Sequence, residues 1–516
     1  MTEQEQQNSQ SKIKKKFRFA SRIVWLTWTG VLSLFLVAGL FLQAPWKVTA
    51  LVFIFLLAAT ILPRAYRKWF WAVIGCAGAA IIVWVFLPED SKGWRPYTFD
   101  KELAALEAKC AIPDGENAAV IYNQLFEDYN ESVFKSNFIS PNNEECITKE
   151  PWSSKDCPEV ARWLGQQKST ITKLIETSKI EQCRFPIIAE VRSVGDIMHR
   201  LNPMQNWAVL LTWAANNDMA EGRINQALEK YIAVLQMGEQ LRQQPSMLDF
   251  LVGTGIERNS TSRLKIFVVT GEAAEEHLNL IAKALAEIEH DWSYDFPKLL
   301  EHEKLLVKNL FGMFYEVNTE GKIRLTRSLG NTIRKHLSQN MKDEPIIKYW
   351  HKRLIKASAI LCWFYVPAVP QQAGAIVDAA YGRYYAMAVS GSSWAKDPRE
   401  FSITSIRFNY RYMIEMQLYI MDPVYCNIHD AYLRTIAQER GSRLIVALRR
   451  YKNKSGSWPV SLDEVKSSAA EEVFIDPING GSFVYKLDTE DFILYSKGEN
   501  NIDENNRDDS DDWPIW

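Results

Sequence analysis

The chain has few histidines and few cysteines, and none of them falls at a metal-binding or redox spacing. Seven of each occur among 516 residues. H-E-x-x-H is absent, which excludes the common zinc-protease helix, and the absence of C-x-x-C argues against a zinc ribbon or a thioredoxin-type site. Glu301, His302 and Glu303 are consecutive, so on a helix they face different directions and predict a solvated charged face rather than a metal site.

Other common catalytic and nucleotide-binding motifs are also absent. The sequence contains no G-x-S-x-G, no G-x-x-x-x-G-K-[ST] and no G-x-G-x-x-G after a predicted strand. Residues 1–88 hold ten Lys and Arg against two Glu, a balance of +8, which leaves −10 for the remainder of a chain whose formal net charge is −2. Because nucleic-acid binding needs clustered positive charge, we expect no nucleic acid among its partners.

What the chain does have is three apolar runs near its N-terminus, at residues 23–42, 48–62 and 69–87. The first and third are long enough to cross a hydrocarbon core of roughly 30 Å as helices, whereas the second is short. The pattern predicts three N-terminal transmembrane helices, a membrane anchor at residues 23–88 preceded by a disordered basic tail at residues 1–22. The alternative is that the second run is a re-entrant or interfacial segment.

The distribution of basic residues predicts the orientation of this anchor. Six precede the first run, one lies between the first and second runs, and three lie between the second and third. By the positive-inside rule, this pattern puts the N-terminus in the cytoplasm and, after three crossings, the large C-terminal portion outside it. We therefore expect an integral, multi-pass protein of the cytoplasmic (inner) membrane. If the second run does not cross, the body returns to the cytoplasm.

Residues 97–430 have mostly helical apolar periodicity and predict an all-α extracytoplasmic region. A helical hairpin is predicted near residues 207–242, with its break at Glu221-Gly222. It resembles a tetratricopeptide-type unit, but only one clear copy is visible, and a solenoid needs about three repeats. An ordinary αα-hairpin is the alternative.

Four cysteines, Cys110, Cys146, Cys157 and Cys183, are crowded into one part of this region. In an oxidising compartment outside the cytoplasm they are disulfide candidates, and we expect one or two bridges among them. The alternative is that these thiols are reduced and buried, since free cysteine is a common core residue.

The last part of the chain, residues 431–516, predicts a small α+β domain. A helix ends near residues 453–456, a turn follows at residues 476–481, and two strands are predicted at residues 482–487 and 491–496. The segments that carry a resemblance are Ala447-Leu448-Arg449-Arg450-Tyr451, Gly456-Ser457-Trp458-Pro459, Asp476-Pro477, Phe483-Val484-Tyr485 and residues 492–498. In order and approximate spacing they resemble the globular domain of the type II secretion major pseudopilin.

This resemblance implies a calcium site in the loop after the last strand. The acidic residues offered there are Asp503, Asp508, Asp509, Asp511 and Asp512. Carboxylates are hard oxygen ligands, and Ca²⁺ takes six to eight oxygens. The loop lacks the family's glycine-rich run and has asparagines instead, and the alternative is a solvated acidic tail.

The whole chain also resembles uncharacterised membrane-anchored helical proteins of planctomycete-type bacteria, which transfer no function. The fold expected is mainly α, with an anchor, an all-α body and a pseudopilin-like end. We predict a membrane-anchored interaction or assembly protein of the bacterial cell envelope, with a protein partner there and with secretion as one expected context. The alternative is an envelope hydrolase or lyase whose carboxylates converge only in the fold. Convergent acids with opposed pKa values in a cleft would favour the enzyme, and a broad apolar groove would favour binding.

Overall fold

The structure, a computed structural model, describes residues 93–131, 147–187, 194–288, 291–312, 314–325, 369–390, 410–488, 491–507 and 509–516. The chain divides into two compact units. The smaller contains residues 1–98, 310–380 and 398–420, and the larger contains residues 99–309, 381–397 and 421–516.

The described residues are mainly helical, so this feature of the predicted fold is confirmed. The helices are α1 (Asp100–Cys110), α2 (Ala118–Glu127), α3 (Pro158–Gln166), α4 (Lys168–Ser178), α5 (Val194–Ala220), α6 (Ile224–Arg242), α7 (Met247–Thr270), α8 (Glu275–Ala286), α9 (Trp292–Gly312), α10 (Pro370–Ser390) and α11 (Tyr410–Ser455). The strands are β1 (Trp94–Pro96), β2 (Tyr315–Asn318), β3 (Ile323–Leu325), β4 (Val484–Leu487), β5 (Phe492–Ser496) and β6 (Trp513–Pro514).

The prediction of a membrane-spanning fold is wrong for the part of the chain that the structure describes. No helix there combines the length and the apolar character needed to cross a membrane. The basic tail at residues 1–22 and the three runs at residues 23–42, 48–62 and 69–87 lie outside the described residues. Three further predictions depended on that anchor: the integral-membrane partner, the inner-membrane location and the extracytoplasmic placement of the body. The same finding overturns them.

In the larger unit, three consecutive helices, α5, α6 and α7, lie next to one another. The predicted hairpin near residues 207–242 is present as α5 and α6, joined by a turn in which Gly222 has a φ of 74°, a value that favours glycine. Helices α6 and α7 cross at Gly238 and Gly253. A Cβ at Gly253 would lie 2.5 Å from the carbonyl oxygen of Gly238. Only glycine permits so close a contact, which brings the last turn of α6 against α7.

The C-terminal region shares its core with the helices of the larger unit. Leu444 and Leu448 on α11 belong to the same buried apolar cluster as Leu264 on α7, Leu285 on α8 and Phe492 on β5. Residues 421–516 therefore belong to one compact unit with residues 99–309. This differs from the predicted division into a region at 97–430 and a separate domain at 431–516.

The described residues also form two small sheets, and each is antiparallel. In the larger unit β4 pairs with β5 and β5 with β6, so the strands predicted at residues 482–487 and 491–496 are confirmed within two residues. In the smaller unit the strand order is β1-β2-β3. The turn between β2 and β3 is closed by Asn318, whose side-chain oxygen accepts hydrogen bonds from the backbone N–H groups of Glu320 and Lys322.

Candidate functional site

A polar cavity of about 550 Å³ lies in the larger unit. Its wall comes from the end of α1, the segment after α4, the last turn of α6 and the first half of α9. Eight charged residues line it: Lys109, Arg184, Arg242 and Lys298 are basic, and Glu239, Asp291, Asp295 and Glu301 are acidic. The volume is within the range of small-molecule sites in proteins.

On one side of the cavity a single buried arginine meets three carboxylates. Arg242, 3% exposed, donates from Nη1 to Asp295 Oδ2 at 2.6 Å and from Nε to Glu257 Oε1 at 3.3 Å, and it forms an ion pair with Glu239. Burial alone lowers the pKa of Arg242, but the carboxylates raise it above its ordinary value. The close crossing at Gly238 and Gly253 brings Glu257 on α7 into reach of this arginine.

Burial dominates the titration of the acids in this group. It raises the pKa of Asp295 to about 6, although Arg242 opposes the shift. It also raises the pKa of Glu257 well above its ordinary range, with Glu239 adding to the effect. A catalytic acid and base show shifts in opposite directions. Asp295 and Glu257 are shifted in the same direction by the same cause, so this pair lacks that signature.

Arg184, another residue of the cavity lining, has a buried guanidinium without an ion pair among the described residues. The residue is only 9% exposed, and its Nε, Nη1 and Nη2 have no hydrogen-bond partner among the residues that the structure describes. Burial lowers the pKa of this guanidinium. A buried charge without a partner costs several kcal/mol unless something compensates it.

The backbone of Arg184 is held in place by a neighbouring asparagine side chain. The Asn117 side chain donates to the carbonyl oxygen of Arg184 at 2.9 Å and accepts from its N–H at 2.8 Å. Two glutamines at the end of α6 hold the neighbouring residues. Gln243 accepts from the N–H of Cys183 at 3.0 Å, and Gln244 Nε2 donates to the carbonyl oxygen of Cys183 at 2.7 Å.

Lys298 is a second cation in the cavity without an ion pair. It makes no hydrogen bond or ion pair with a described residue, and its Nζ lies 5.8 Å from the centre of the Tyr294 ring. Burial lowers its pKa; Asp295 opposes this shift and Arg184 adds to it. In contrast, Lys109 pairs with Glu301 at 2.9 Å. The cavity lining therefore includes two cations that lack an ion-pair partner among the described residues, the buried Arg184 and the half-buried Lys298.

Two of the predicted disulfide candidates, Cys110 and Cys183, are free thiols, and both line this cavity. Cys110 ends α1, and Cys183 lies beside Arg184, with its pKa raised by burial. No bridge joins these two residues in the structure. Cys157 is half-buried at the start of α3, and Cys146 lies outside the described residues.

The acidic loop brings together only part of the predicted calcium-site residues. Carboxylate oxygens of Asp511 and Asp512 lie within 4.8 Å of each other and of Glu504, which the sequence analysis did not single out. Asp512 is 7% exposed; its Oδ2 accepts from the N–H of Asn506 at 2.7 Å, while its buried Oδ1 has no partner among the described residues. An orphaned buried carboxylate oxygen beside two further carboxylates fits a hard cation.

The remaining predicted ligands do not join this group. Asp503 accepts from Tyr495 Oη at 2.6 Å and from Lys486 Nζ at 3.0 Å. Asp509 is exposed and lies 3.7 Å from Arg507. Asp508 lies outside the described residues.

Sequence reasoning missed both arginines of the cavity. Arg242 is the last residue of a helix, where a basic residue is common, and Arg184 lies in a short loop before Phe185-Pro186. Neither position carries a motif. Comparison of the chain with protein-family models, with curated proteins and with solved structures found no match.

Proposed function

We propose that the larger unit is a binding domain for a small anionic molecule, which occupies the cavity and pairs with Arg184. The observation that carries this proposal is the buried guanidinium whose three nitrogens have no hydrogen-bond partner among the described residues. Guanidinium groups match carboxylate and phosphate groups with two parallel hydrogen bonds. Lys298 supplies a second cation without an ion pair among the described residues.

Binding fits the cavity better than catalysis does. The shifted acids, Asp295 and Glu257, are both raised by burial, and Asp295 is paired with Arg242. The predicted hydrolase or lyase needs carboxylates with separate acid and base roles. The predicted interaction or assembly role remains a prediction, and a ligand-binding body is compatible with it.

The test is ligand-induced stabilisation of the full chain, with glutarate and inorganic phosphate as probes. A ligand that binds only the folded state raises its stability by about 2.7 kcal/mol at a concentration of 100 Kd. We expect at least one probe to raise the Tm of the unaltered protein and to have no effect on Arg184→Gln. Because the unpaired charge is costly, Arg184→Gln should also have a higher Tm than the unaltered protein without ligand.

Arg223→Gln is the matched control. Arg223 lies in the turn before α6, is paired with Asp218 at 2.6 Å and does not line the cavity. It should retain the ligand response. Equal responses in the unaltered protein and Arg184→Gln, or no response to either probe at millimolar concentration, would overturn the proposal.

We also propose that the acidic loop binds a calcium ion through Glu504, Asp511 and Asp512. The orphaned Oδ1 of buried Asp512 is the observation that favours it. Calcium bound there would tie the loop together and stabilise the folded state. We expect millimolar Ca²⁺ to raise the Tm and a chelator to lower it in the unaltered protein.

The matched pair for this second proposal is Asp512→Asn and Asp509→Asn. Both remove one aspartate charge from the loop, but Asp509 is exposed and lies outside the group of three carboxylates. The calcium response should be lost only in Asp512→Asn. A Tm that does not change with chelator would rule out the site.

A further inference from the structure

The charges that line the cavity are not mixed evenly. The Arg242 group places two lining carboxylates, those of Glu239 and Asp295, around one cation, together with Glu257, which does not line the cavity. Arg184 and Lys298 are two cations that have no ion pair among the described residues. The cavity therefore combines carboxylates that share one cation with two cations that have no ion pair among the described residues.

One carboxylate oxygen in the Arg242 group can accept a further hydrogen bond. Asp295 Oδ2 is occupied by Arg242 Nη1, whereas Asp295 Oδ1 makes no hydrogen bond with a described residue. Its side chain is 13% exposed and lines the cavity. A carboxylate in a poorly solvated site binds an ammonium group better than a neutral donor, because the hydrogen bond is charge-assisted.

We propose that the ligand of this cavity is a small zwitterion, whose acidic group pairs with Arg184 and whose ammonium group pairs with Asp295. This proposal rests on the anion-binding function proposed above and adds the second charge. A purely anionic ligand satisfies Arg184 and Lys298 but leaves Asp295 Oδ1 without a donor. A free amino acid and a short peptide both have the required chemistry, and a cavity of about 550 Å³ has room for either.

The test compares matched ligands on the full chain by calorimetric titration at pH 7.5. Glutamate and glutarate have the same carbon skeleton and differ by one ammonium group, so they represent the free amino acid. Ala-Ala-Ala and its N-acetylated form represent the peptide. In at least one pair, we expect the ligand with the ammonium group to bind about 10-fold more tightly than its partner. The pair with the larger affinity ratio shows whether the natural ligand is a free amino acid or a peptide.

Asp295→Asn should reduce that ratio to about one while leaving glutarate affinity within a few fold. Asparagine keeps an oxygen that can accept from Arg242, and a Tm measurement verifies that the variant is folded. If Asp295→Asn does not fold, two other measurements provide the same comparison. The first is Asp295→Glu, which keeps the charge. The second is a titration of the unaltered protein at pH 5, where Asp295 is largely protonated. The ratio should be retained in the first and reduced in the second. Glu229→Gln, at an acid that pairs with Lys179 and does not line the cavity, is the control and should retain the ratio.

The two proposals fail in different ways. If glutarate binds through Arg184 but neither ammonium-bearing ligand binds more tightly, the zwitterion proposal is wrong and the anion site stands. If none of the four ligands binds at millimolar concentration, both are wrong. A ratio that persists in a folded Asp295→Asn variant would also overturn the assignment to Asp295.

Discussion

Asp295 in the cavity and Asp503 in the acidic loop carry the same carboxyl group, and their pKa values are shifted in opposite directions. Burial raises the pKa of Asp295 to about 6 even though an arginine lies 2.6 Å away. Hydrogen bonds from Tyr495 and Lys486 lower that of Asp503 to about 2. Asp295 is 13% exposed and Asp503 is 38% exposed.

The difference shows how the surroundings decide what an ion pair does. In the loop, water solvates the charges and the partners add a modest stabilisation to an already favourable ionised state. In the cavity, the charges have lost much of their hydration, so each one depends on its neighbours. We therefore expect the loop to tolerate the loss of an ion-pair partner better than the Arg242 group does.

The largest effect should come from removing the cation of the Arg242 group. Arg242→Met leaves Glu239, Glu257 and Asp295 close together without compensation, and we expect a loss of about 3 to 5 kcal/mol in the free energy of unfolding. Urea denaturation at pH 7 measures it. Arg507→Met, at a loop arginine that is 61% exposed, is the control and should cost about 0 to 1 kcal/mol. Similar losses in the two variants would contradict this comparison.

An intermediate effect should appear in the pH dependence. Because the folded-state pKa of Asp295 is above its ordinary value of 3.8, its contribution favours the fold below about pH 4 and is lost as the pH rises through about 6. The rise in the pKa of Asp295 corresponds to at most about 3 kcal/mol in the free energy of unfolding. Asp295→Asn should flatten the stability curve between pH 4 and 7, measured by urea denaturation at each pH.

Glu257 and Glu439, whose pKa values burial also raises, remain in that variant and retain part of the slope. Asp503→Asn is the matched change in the loop. The pKa of Asp503 is lowered, so this residue stabilises the folded state above about pH 4, and that stabilisation is lost as the pH falls toward 2. The slope between pH 4 and 7 should therefore be unchanged in Asp503→Asn, and a flattening there equal to that of Asp295→Asn would refute the assignment.

The smallest effect should be the stability change caused by Asp503→Asn itself at pH 7. The pair with Lys486 is more than one-third exposed, so solvent screening limits its value to about 0 to 1 kcal/mol. Thermal unfolding in low and high salt measures it, and the difference from the unaltered protein should shrink as salt is added. A loss comparable with that of Arg242→Met would mean that burial is not the deciding factor.

Much of the local structure could be predicted from the sequence. The hairpin of α5 and α6 follows from the spacing of Ala227, Leu228 and Tyr231 and from a break at Gly222. The strands β4 and β5 follow from β-rich runs on either side of a polar turn. These features depend on residues that are close in the chain.

The composition of the sites could not be predicted in the same way. Glu504 joins Asp511 and Asp512 because the loop folds back on itself, whereas Asp503, one residue earlier, pairs with Lys486. The predicted separation of residues 431–516 also differs from the structure, because helical periodicity shows that α11 has an apolar face and does not say which helices cover it.

By itself, the sequence determined the mainly helical character, the hairpin, the terminal strands and the position of an acidic loop, since each depends on residues that are neighbours in the chain. Tertiary structure decided that Arg242 meets carboxylates from α6, α7 and α9, and that the guanidinium of Arg184 has no hydrogen-bond partner among the described residues. Glu239 is three positions from Arg242 on the same helix, but Glu257 and Asp295 are 15 and 53 positions away. Their charges have consequences only because the helices pack closely enough to remove the water between them.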